Sequence, residues 1–315
     1  MNLRIAMNYD FVPISTRKPL KWPNGARVAL ILTINVEYWD LLKDTDKPYY
    51  AGGPSILPDP LPGNVPDFPN YTWREYGQRV GVWRMIDVFD KAGVPASVTM
   101  NAKAGLKLRQ IIDAVNSRSW EIIAHNYVQT DLLSDYFFEP EREREIIRET
   151  LRVYEQVVGR KAKGWLSSSL RCTPKTADFC AEEGLLFFTD LLNDDQPYLV
   201  HTPSGPIVSV PYSNEVNDFM IYFRRGMTTT EALDVFKEQL TELHREGAES
   251  GRLMSIGLHP HVTGQPFRIR ALREFIEYAK NLDGVWWATR EEIASWYLKN
   301  HSSHIAPSNI TALSE

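Results

Sequence analysis

The fold is decided by one stretch near the start of the chain, Arg27-Val-Ala-Leu-Ile-Leu-Thr-Ile-Asn-Val36, which runs directly into Glu37. Its apolar residues are nearly continuous rather than alternating, a pattern typical of a strand buried on both faces in a parallel sheet. Seven shorter apolar runs follow, at 96–100, 120–125, 162–166, 186–191, 207–210, 253–259 and 285–289. The sequence therefore predicts eight strands.

Helical patterns separate most of these strands. Apolar residues recur at helical spacing near 82–89, 147–158, 233–243 and 269–279. Gly93, Gly159 and Gly247 follow the first three stretches, and Thr228 with Glu231 forms a capping-box pattern before the third. Alternating strands and helices predict an α/β fold with parallel strands and crossover helices. The number of strands favours a distorted (β/α) barrel of seven or eight parallel strands over an open doubly wound sheet.

The domain organisation is predicted to be simple. The chain has 315 residues, with no internal repeat and no linker long enough to separate two domains. Residues 1–300 are therefore predicted to form one barrel domain. Within it, the Pro-rich connection 39–73 is much longer than the usual βα loop of a few residues, so it is predicted to act as a lid over the barrel mouth. Residues 301–315 lack periodicity and are predicted to form a flexible tail.

Composition excludes several kinds of partner. Lys and Arg total 35 against 40 Asp and Glu, whereas proteins that grip nucleic acid usually carry a basic excess. No apolar run approaches the roughly 20 residues of a membrane span, and the first residues lack the pattern of a secretion signal. Two cysteines, Cys172 and Cys180, are too few for a disulfide scaffold. We therefore expect a cytoplasmic protein with neither a nucleic-acid nor a membrane partner.

Polar side chains follow several predicted strands. Glu37 ends the first, Asn101 follows the second, His125 ends the third and His259 ends the seventh. In a barrel of parallel strands the carboxyl ends meet on one face, where reactive groups lie. We therefore predict that Glu37, His125 and His259 form a shared catalytic site.

Other polar residues are candidates for holding the substrate. The serines at 167–169 lack the G-x-S-x-G pattern of a nucleophile elbow, which argues against a serine hydrolase. The roles of His261 and Asp194 stay open. The predicted substrate-binding residues are Asn101, Gln129, Arg171 and Asp195.

The order of these motifs resembles the polysaccharide deacetylase (NodB-homology) superfamily, above all its branch of allantoinases and cyclic-imide hydrolases. The similar stretches cover about 18–298 and include Asn35-Val-Glu37, Glu121-Ile-Ile-Ala-His125, Asn193-Asp-Asp-Gln-Pro-Tyr198 and Leu258-His-Pro260. The resemblance implies a distorted (β/α) barrel and hydrolysis of a carbon–nitrogen bond other than a peptide bond.

The chain departs from the family pattern at the metal-binding motifs. The family's deacetylases carry two aspartates at the end of the first strand, whereas Asn35-Val-Glu37 has a single acidic residue. Their histidine motif, H-x-x-x-H, reads His125-Asn-Tyr-Val-Gln129 here. Because an amide is a poorer zinc ligand than an imidazole, we expect no tightly bound cofactor. If a divalent metal such as zinc is held weakly, Glu37 and His125 are its expected ligands.

These observations predict a hydrolase of a small linear or cyclic amide, ureide or imide, with that small molecule as its partner. Glu37 would be the general base, His125 would orient the attacking water, and His259 would protonate the departing nitrogen, since imidazole titrates near neutral pH. Two alternatives stay open, a polysaccharide N-deacetylase and a catalytically inactive barrel that binds a small molecule. Assembly into a homo-oligomer, a dimer or a tetramer, is open as well.

Overall fold

A curled sheet of nine strands lies at the centre of the computed structural model, which describes residues 8–40 and 65–305. The strand order is β6-β7-β5-β4-β3-β2-β1-β8, and β9 also pairs with β1. The strands are β1 Val28–Val36, β2 Ser97–Met100, β3 Glu121–Ala124, β4 Gly164–Trp165, β5 Phe187–Phe188, β6 Tyr198–Val200, β7 Ile207–Ser209, β8 Arg252–Leu258 and β9 Val285–Trp287.

The central strand is β1, and all of its residues are buried, as its continuous apolar pattern predicts. It pairs with β8 from Val28 to Ile34, with β2 at its carboxyl end and with β9 at its amino end. These pairings are parallel, and within the described sheet the single antiparallel pair is β6 with β7. The distorted α/β barrel is therefore confirmed, and it remains open between the edge strands β6 and β8.

Helices cover the outside of the sheet. The four predicted helices are confirmed as α2, α5, α7 and α8. Gly93 and Gly159 end α2 and α5 with positive φ angles of 66° and 81°, and Thr228 and Glu231 form the predicted capping box of α7. The described helices are α1 Phe68–Tyr76, α2 Val82–Ala92, α3 Ala102–Lys107, α4 Arg109–Asn116, α5 Pro140–Val158, α6 Thr176–Glu182, α7 Thr229–Glu246, α8 Ile269–Lys280 and α9 Arg290–Asn300.

The connection predicted as a lid, 39–73, is partly helical. Its last residues begin α1, where Asp67 caps the helix by accepting a hydrogen bond from the backbone N–H of Asn70. One π-helical turn, Gly77–Gly81, continues directly from α1 into α2. Residues 41–64 lie outside the described residues, so a lid over the site remains a prediction.

Two other features differ from the sequence-based expectation. Strand β6 was not predicted, because the apolar run at 198–200 is shorter than the runs that indicated the other strands. The first part of the predicted flexible tail, 301–305, packs against the domain, and the buried His304 bonds to Tyr297 and Gln196. Residues 306–315 lie outside the described residues. Within the described ranges no helix is both long and apolar enough to cross a membrane.

Candidate active site

Three side chains from distant parts of the sequence meet at the carboxyl end of the barrel. Glu37 follows β1, His125 follows β3 and His259 follows β8. Oε1 of Glu37 lies 3.7 Å from Nε2 of His125 and 3.6 Å from Nε2 of His259. The structure thus brings together the three residues that the sequence places at strand ends, because parallel strands carry their carboxyl ends to one face.

The ring of His259 is held from behind by Asp218, which is fully buried. One carboxylate oxygen of Asp218 accepts a hydrogen bond from His259 Nδ1 at 2.6 Å. The other accepts from the backbone N–H of His259 at 2.7 Å and from the hydroxyl of Thr263 at 2.6 Å. These contacts aim Nε2 of His259 at Glu37.

Asp218 was missed from the sequence, although a signal for it exists. It belongs to the polar segment 211–218 that follows β7. The carboxyl ends of parallel strands meet on one face of the barrel, so residues that follow β7 are candidates for the site as well. The segment is long, so its position after a strand does not indicate which of its polar residues reaches the site.

Glu37 and His259 form a charged pair in the resting site. Burial alone would lower the pKa of His259, but the negative charges of Asp218 and Glu37 outweigh it and raise this pKa to about 10. Burial alone would raise the pKa of Glu37, but the positive charge on the neighbouring His259 outweighs it and holds this pKa well below its usual range. At neutral pH the site therefore holds an imidazolium and a carboxylate.

His125 is oriented by the backbone of the neighbouring strand. Its Nδ1 lies 2.6 Å from the carbonyl oxygen of Leu166 and donates to it, since a carbonyl can only accept. The buried Nε2 faces Glu37 and has no hydrogen-bond partner. Its distance of 3.7 Å to Oε1 of Glu37 is too long for a direct hydrogen bond. A water molecule bonded to both atoms would satisfy the buried nitrogen.

The three side chains line a cavity of about 520 Å³. Of the predicted substrate-binding residues, Gln129 and Arg171 also line it. The amide of Gln129 donates to the hydroxyl of Ser169 at 3.3 Å. The other lining residues are Asn35, Leu166, Ser167, Ser169, Leu170, Leu192, Tyr212, Asn214, Asn217, Phe219, Met220 and Arg224.

The prediction that Asn101 binds the substrate is not supported by its position. Its side chain is completely buried, and it does not line the cavity. Its amide oxygen accepts from the backbone N–H of Tyr38 at 2.9 Å, and its amide nitrogen donates to the carbonyl of His125 and to the hydroxyl of Ser168. Asn101 therefore ties together the chain segments that carry Glu37 and His125, because an amide can bond on both sides at once.

The prediction for Asp195 is corrected as well. Its carbonyl accepts a hydrogen bond from the backbone N–H of Leu253, near the amino end of β8, whereas Glu37 follows the carboxyl end of β1. The connection from β5 to β6 thus runs past the amino end of β8, and Asp195 lies in it away from the site. The neighbouring Asp194 pairs with Arg17 at 2.5 Å and has a structural role.

His261, whose role the sequence left open, lies in an aromatic enclosure beside the site. Its ring centre is 5.5 Å from that of Trp39 and 4.7 Å from that of Trp73. Burial and the positive charge of His259 hold the pKa of His261 well below its usual range. His261 is therefore neutral and does not line the cavity of Glu37 and His259.

The side chains around Glu37 do not fit a tightly bound metal. Across the described ranges, no group of three or more His, Cys, Asp or Glu side chains is arranged to hold one. Nε2 of His259 lies against Glu37 in an ion pair, and Gln129 supplies a neutral amide in place of a second imidazole. Glu37 and His125 remain, one ligand fewer than the three protein ligands of catalytic zinc sites.

Comparison with known proteins shows similarity over nearly the full length, although no family model matches the chain. The solved structure of a "probable Polysaccharide deacetylase" from Pseudomonas aeruginosa PAO1 is 31% identical, with a TM-score of 0.81 over 89% of this chain and 94% of that one. The Puue allantoinase is 30% identical, with a TM-score of 0.84 over 93% of this chain and 98% of that one.

A protein of Schizosaccharomyces pombe named "Putative polysaccharide deacetylase" is 27% identical over 309 residues, which cover 89% of this chain and 93% of that protein. Shared identity at this level across whole chains, together with the same barrel, shows common ancestry rather than a fold reached independently. The chain therefore belongs to the polysaccharide deacetylase superfamily and is a hydrolase of carbon–nitrogen bonds other than peptide bonds.

Proposed function

We propose that the protein hydrolyses a carbon–nitrogen bond in a small linear or cyclic amide, ureide or imide, without a tightly bound metal. The observation that carries this proposal is the arrangement of Glu37 between two imidazoles. His125 Nε2 and Glu37 Oε1 leave a place for one water, and the imidazolium of His259 lies 3.6 Å from the same carboxylate oxygen. A base and an acid thus lie next to each other in the site.

The proposed reaction balances its protons within these residues. Glu37 accepts a proton from the water, which His125 orients, and the water oxygen attacks the carbonyl carbon of the substrate. The carbon–oxygen bond forms, the carbon–nitrogen bond breaks, and Nε2 of His259 gives its proton to the departing nitrogen. The proton on Glu37 then passes to His259 over the short distance between them, which restores the resting ion pair.

The size of the cavity favours a small substrate. Its volume of about 520 Å³ lies within the range of pockets that enclose single small molecules. One solved relative, 30% identical to this chain, is named an allantoinase. The names of two other relatives support a second candidate, N-deacetylation of a polysaccharide, which would need an open groove with several subsites.

The test compares small amides with glycans. Purified protein is incubated with a panel of linear amides, ureides and cyclic imides and, separately, with chito-oligosaccharides and peptidoglycan fragments. We expect turnover of at least one small compound, and loss of at least about a hundredfold in kcat for Glu37→Gln because the base is removed. Glu155→Gln on α5, an exposed residue remote from the cavity, is the control.

Three results would contradict the proposal. Release of acetate from the glycans, with no turnover of the small panel, would favour the polysaccharide deacetylase. Binding without any turnover would favour an inactive barrel. Loss of activity during prolonged dialysis against a chelator, restored by zinc, would show that the reaction needs a metal.

A further inference from the structure

Two arginines lie on the wall of the cavity that contains Glu37, His125 and His259. Arg171 follows β4, and Arg224 ends a π-helical turn, Met220–Arg224. Both side chains are exposed, and within residues 8–40 and 65–305 neither guanidinium forms an ion pair or a hydrogen bond. The adjacent Arg225 behaves differently, because it pairs with Glu215 and does not line the cavity.

The charges around the cavity do not balance. Among the described residues that line it, Glu37 is the single acidic side chain, and it is already paired with the imidazolium of His259. Asp218 lies behind His259 and is bonded to it. Two guanidinium charges therefore face the cavity without an opposite charge, which favours the binding of an anion there.

The backbone before Arg171 is strained. Ser169 and Leu170 both adopt positive φ angles of 57°, in the left-handed region that side chains other than glycine rarely occupy. For a residue such as Leu170 this conformation is energetically unfavourable, and it persists only where surrounding contacts enforce it. Here both residues line the cavity, and Ser169 accepts a hydrogen bond from Gln129. The strained turn brings Arg171 to the cavity wall.

We propose that the substrate carries a carboxylate, which Arg171 and Arg224 bind while the carbon–nitrogen bond of the substrate lies beside the Glu37–His259 pair. A guanidinium presents two parallel N–H groups that match the two oxygens of a carboxylate, and two such groups fix the orientation of a small molecule. This inference rests on the proposed function, and it narrows the substrate to small amides, ureides or imides that are also carboxylic acids.

The test uses three pairs of compounds, each differing by one carboxylate: propionamide and succinamate, ethylurea and N-carbamoyl-β-alanine, 5-methylhydantoin and hydantoin-5-acetate. Dissociation constants are measured by calorimetry, with KM where a compound is hydrolysed. We expect the acid of at least one pair to bind at least about tenfold more tightly than its neutral partner, because two charge-assisted contacts are added.

Arginine variants then show which side chains carry that preference. Arg171→Gln and Arg224→Gln should each weaken binding of the acid by about tenfold and leave the neutral compound within about twofold. Arg225→Gln, next in the chain but already paired, is the matched control and should change neither.

The results separate this inference from the proposed function. The carboxylate inference would be overturned if the acid and the neutral compound bound equally in all three pairs, or if no compound bound. It would also be overturned if the arginine variants weakened binding of the acid and of the neutral compound equally. Preferential binding of the acid without turnover would support it and contradict the proposed function. Turnover without any preference for the acid would support the proposed function and contradict the carboxylate inference.

Discussion

The charge on His259 is determined by two carboxylates, one on each side of the ring. Its pKa of about 10 keeps it protonated at neutral pH, in the form that can donate to a departing nitrogen. We therefore expect kcat/KM to fall as the pH rises through about 10, where the imidazolium loses its proton. The pH profile of kcat/KM for the best small substrate measures this fall, the alkaline limb of the profile.

Replacing Asp218 should move this limb. In Asp218→Asn the negative charge is lost while the burial remains, so the pKa of His259 should fall and the alkaline limb should shift to lower pH by more than about one unit. Thr263→Val is the control, because it removes a donor to Asp218 but keeps the carboxylate. If Asp218→Asn is less active but its alkaline limb stays at the same pH, Asp218 acts only by holding His259 in position.

Zinc binding is predicted to depend on the residue at position 129. After dialysis the protein should retain well below one zinc per chain, whereas Gln129→His should raise zinc affinity by at least about tenfold, because it adds a third ligand beside Glu37 and His125. Elemental analysis and a competition titration measure both quantities. Gln110→His, on the exposed face of α4, controls for binding by a surface imidazole. One tightly held zinc in the unaltered protein would contradict the prediction.

At the scale of elements, the segment that follows α1 supports two of the candidate catalytic residues. The side chain of Gln78, in the π-helical turn, donates to the backbone carbonyl of Glu37 at 2.8 Å. Gly81, at the end of this turn, packs against the loop that follows β8 and leads from His259 to α8. A Cβ atom built on Gly81 would lie 2.0 Å from the carbonyl oxygen of Pro260, which is too close for any side chain.

We therefore predict that Gly81→Ala displaces the loop that carries His259. It should reduce the free energy of unfolding by about 1–3 kcal/mol, since backbone atoms must move to admit the methyl group. It should also lower kcat/KM, because Pro260 is bonded directly to His259. Urea unfolding and kinetics measure the two effects. Val80→Ala, in the same turn but partly exposed, should leave both nearly unchanged, and an unaltered Gly81→Ala protein would disprove the contact.

At the scale of the whole molecule, the barrel interior contains a polar centre as well as an apolar core. Arg290, at the start of α9, is completely buried. Its guanidinium donates to the hydroxyls of Thr33 on β1, Ser255 on β8 and Thr189 just after β5. One side chain thus connects strands on both sides of the barrel opening, and its charge attracts the buried carboxylate of Glu121.

Removal of this guanidinium should destabilise the whole domain. Arg290→Met is expected to reduce the free energy of unfolding by about 3–5 kcal/mol, because three hydroxyls lose their partner and Glu121 loses its nearby positive charge. Urea unfolding at neutral pH measures the loss. Arg273→Met on the exposed face of α8 is the control. If Arg290→Met unfolds cooperatively at the same urea concentration as the unaltered protein, the three hydroxyls have found other partners.

Much of this architecture is already contained in local sequence patterns. The eight parallel strands and the helices α2, α5, α7 and α8 follow from apolar periodicity and capping residues, since burial of one face is a property of consecutive residues. The convergence of Glu37, His125 and His259 also follows from the sequence, because each lies at the end of a parallel strand. Their catalytic roles remain the proposal made above.

Only the tertiary structure decided how the remaining polar side chains are used. Asp218 and Arg224 come from the long segment after β7, whose path depends on contacts with β8 and its following loop. Asn101 follows a strand as predicted, yet its side chain forms hydrogen bonds with the backbone, and the connection that leads into β6 places Asp195 away from the site. Local periodicity determines which face of an element is buried. The direction of one side chain depends on partners that are distant in sequence and meet it only in the folded barrel.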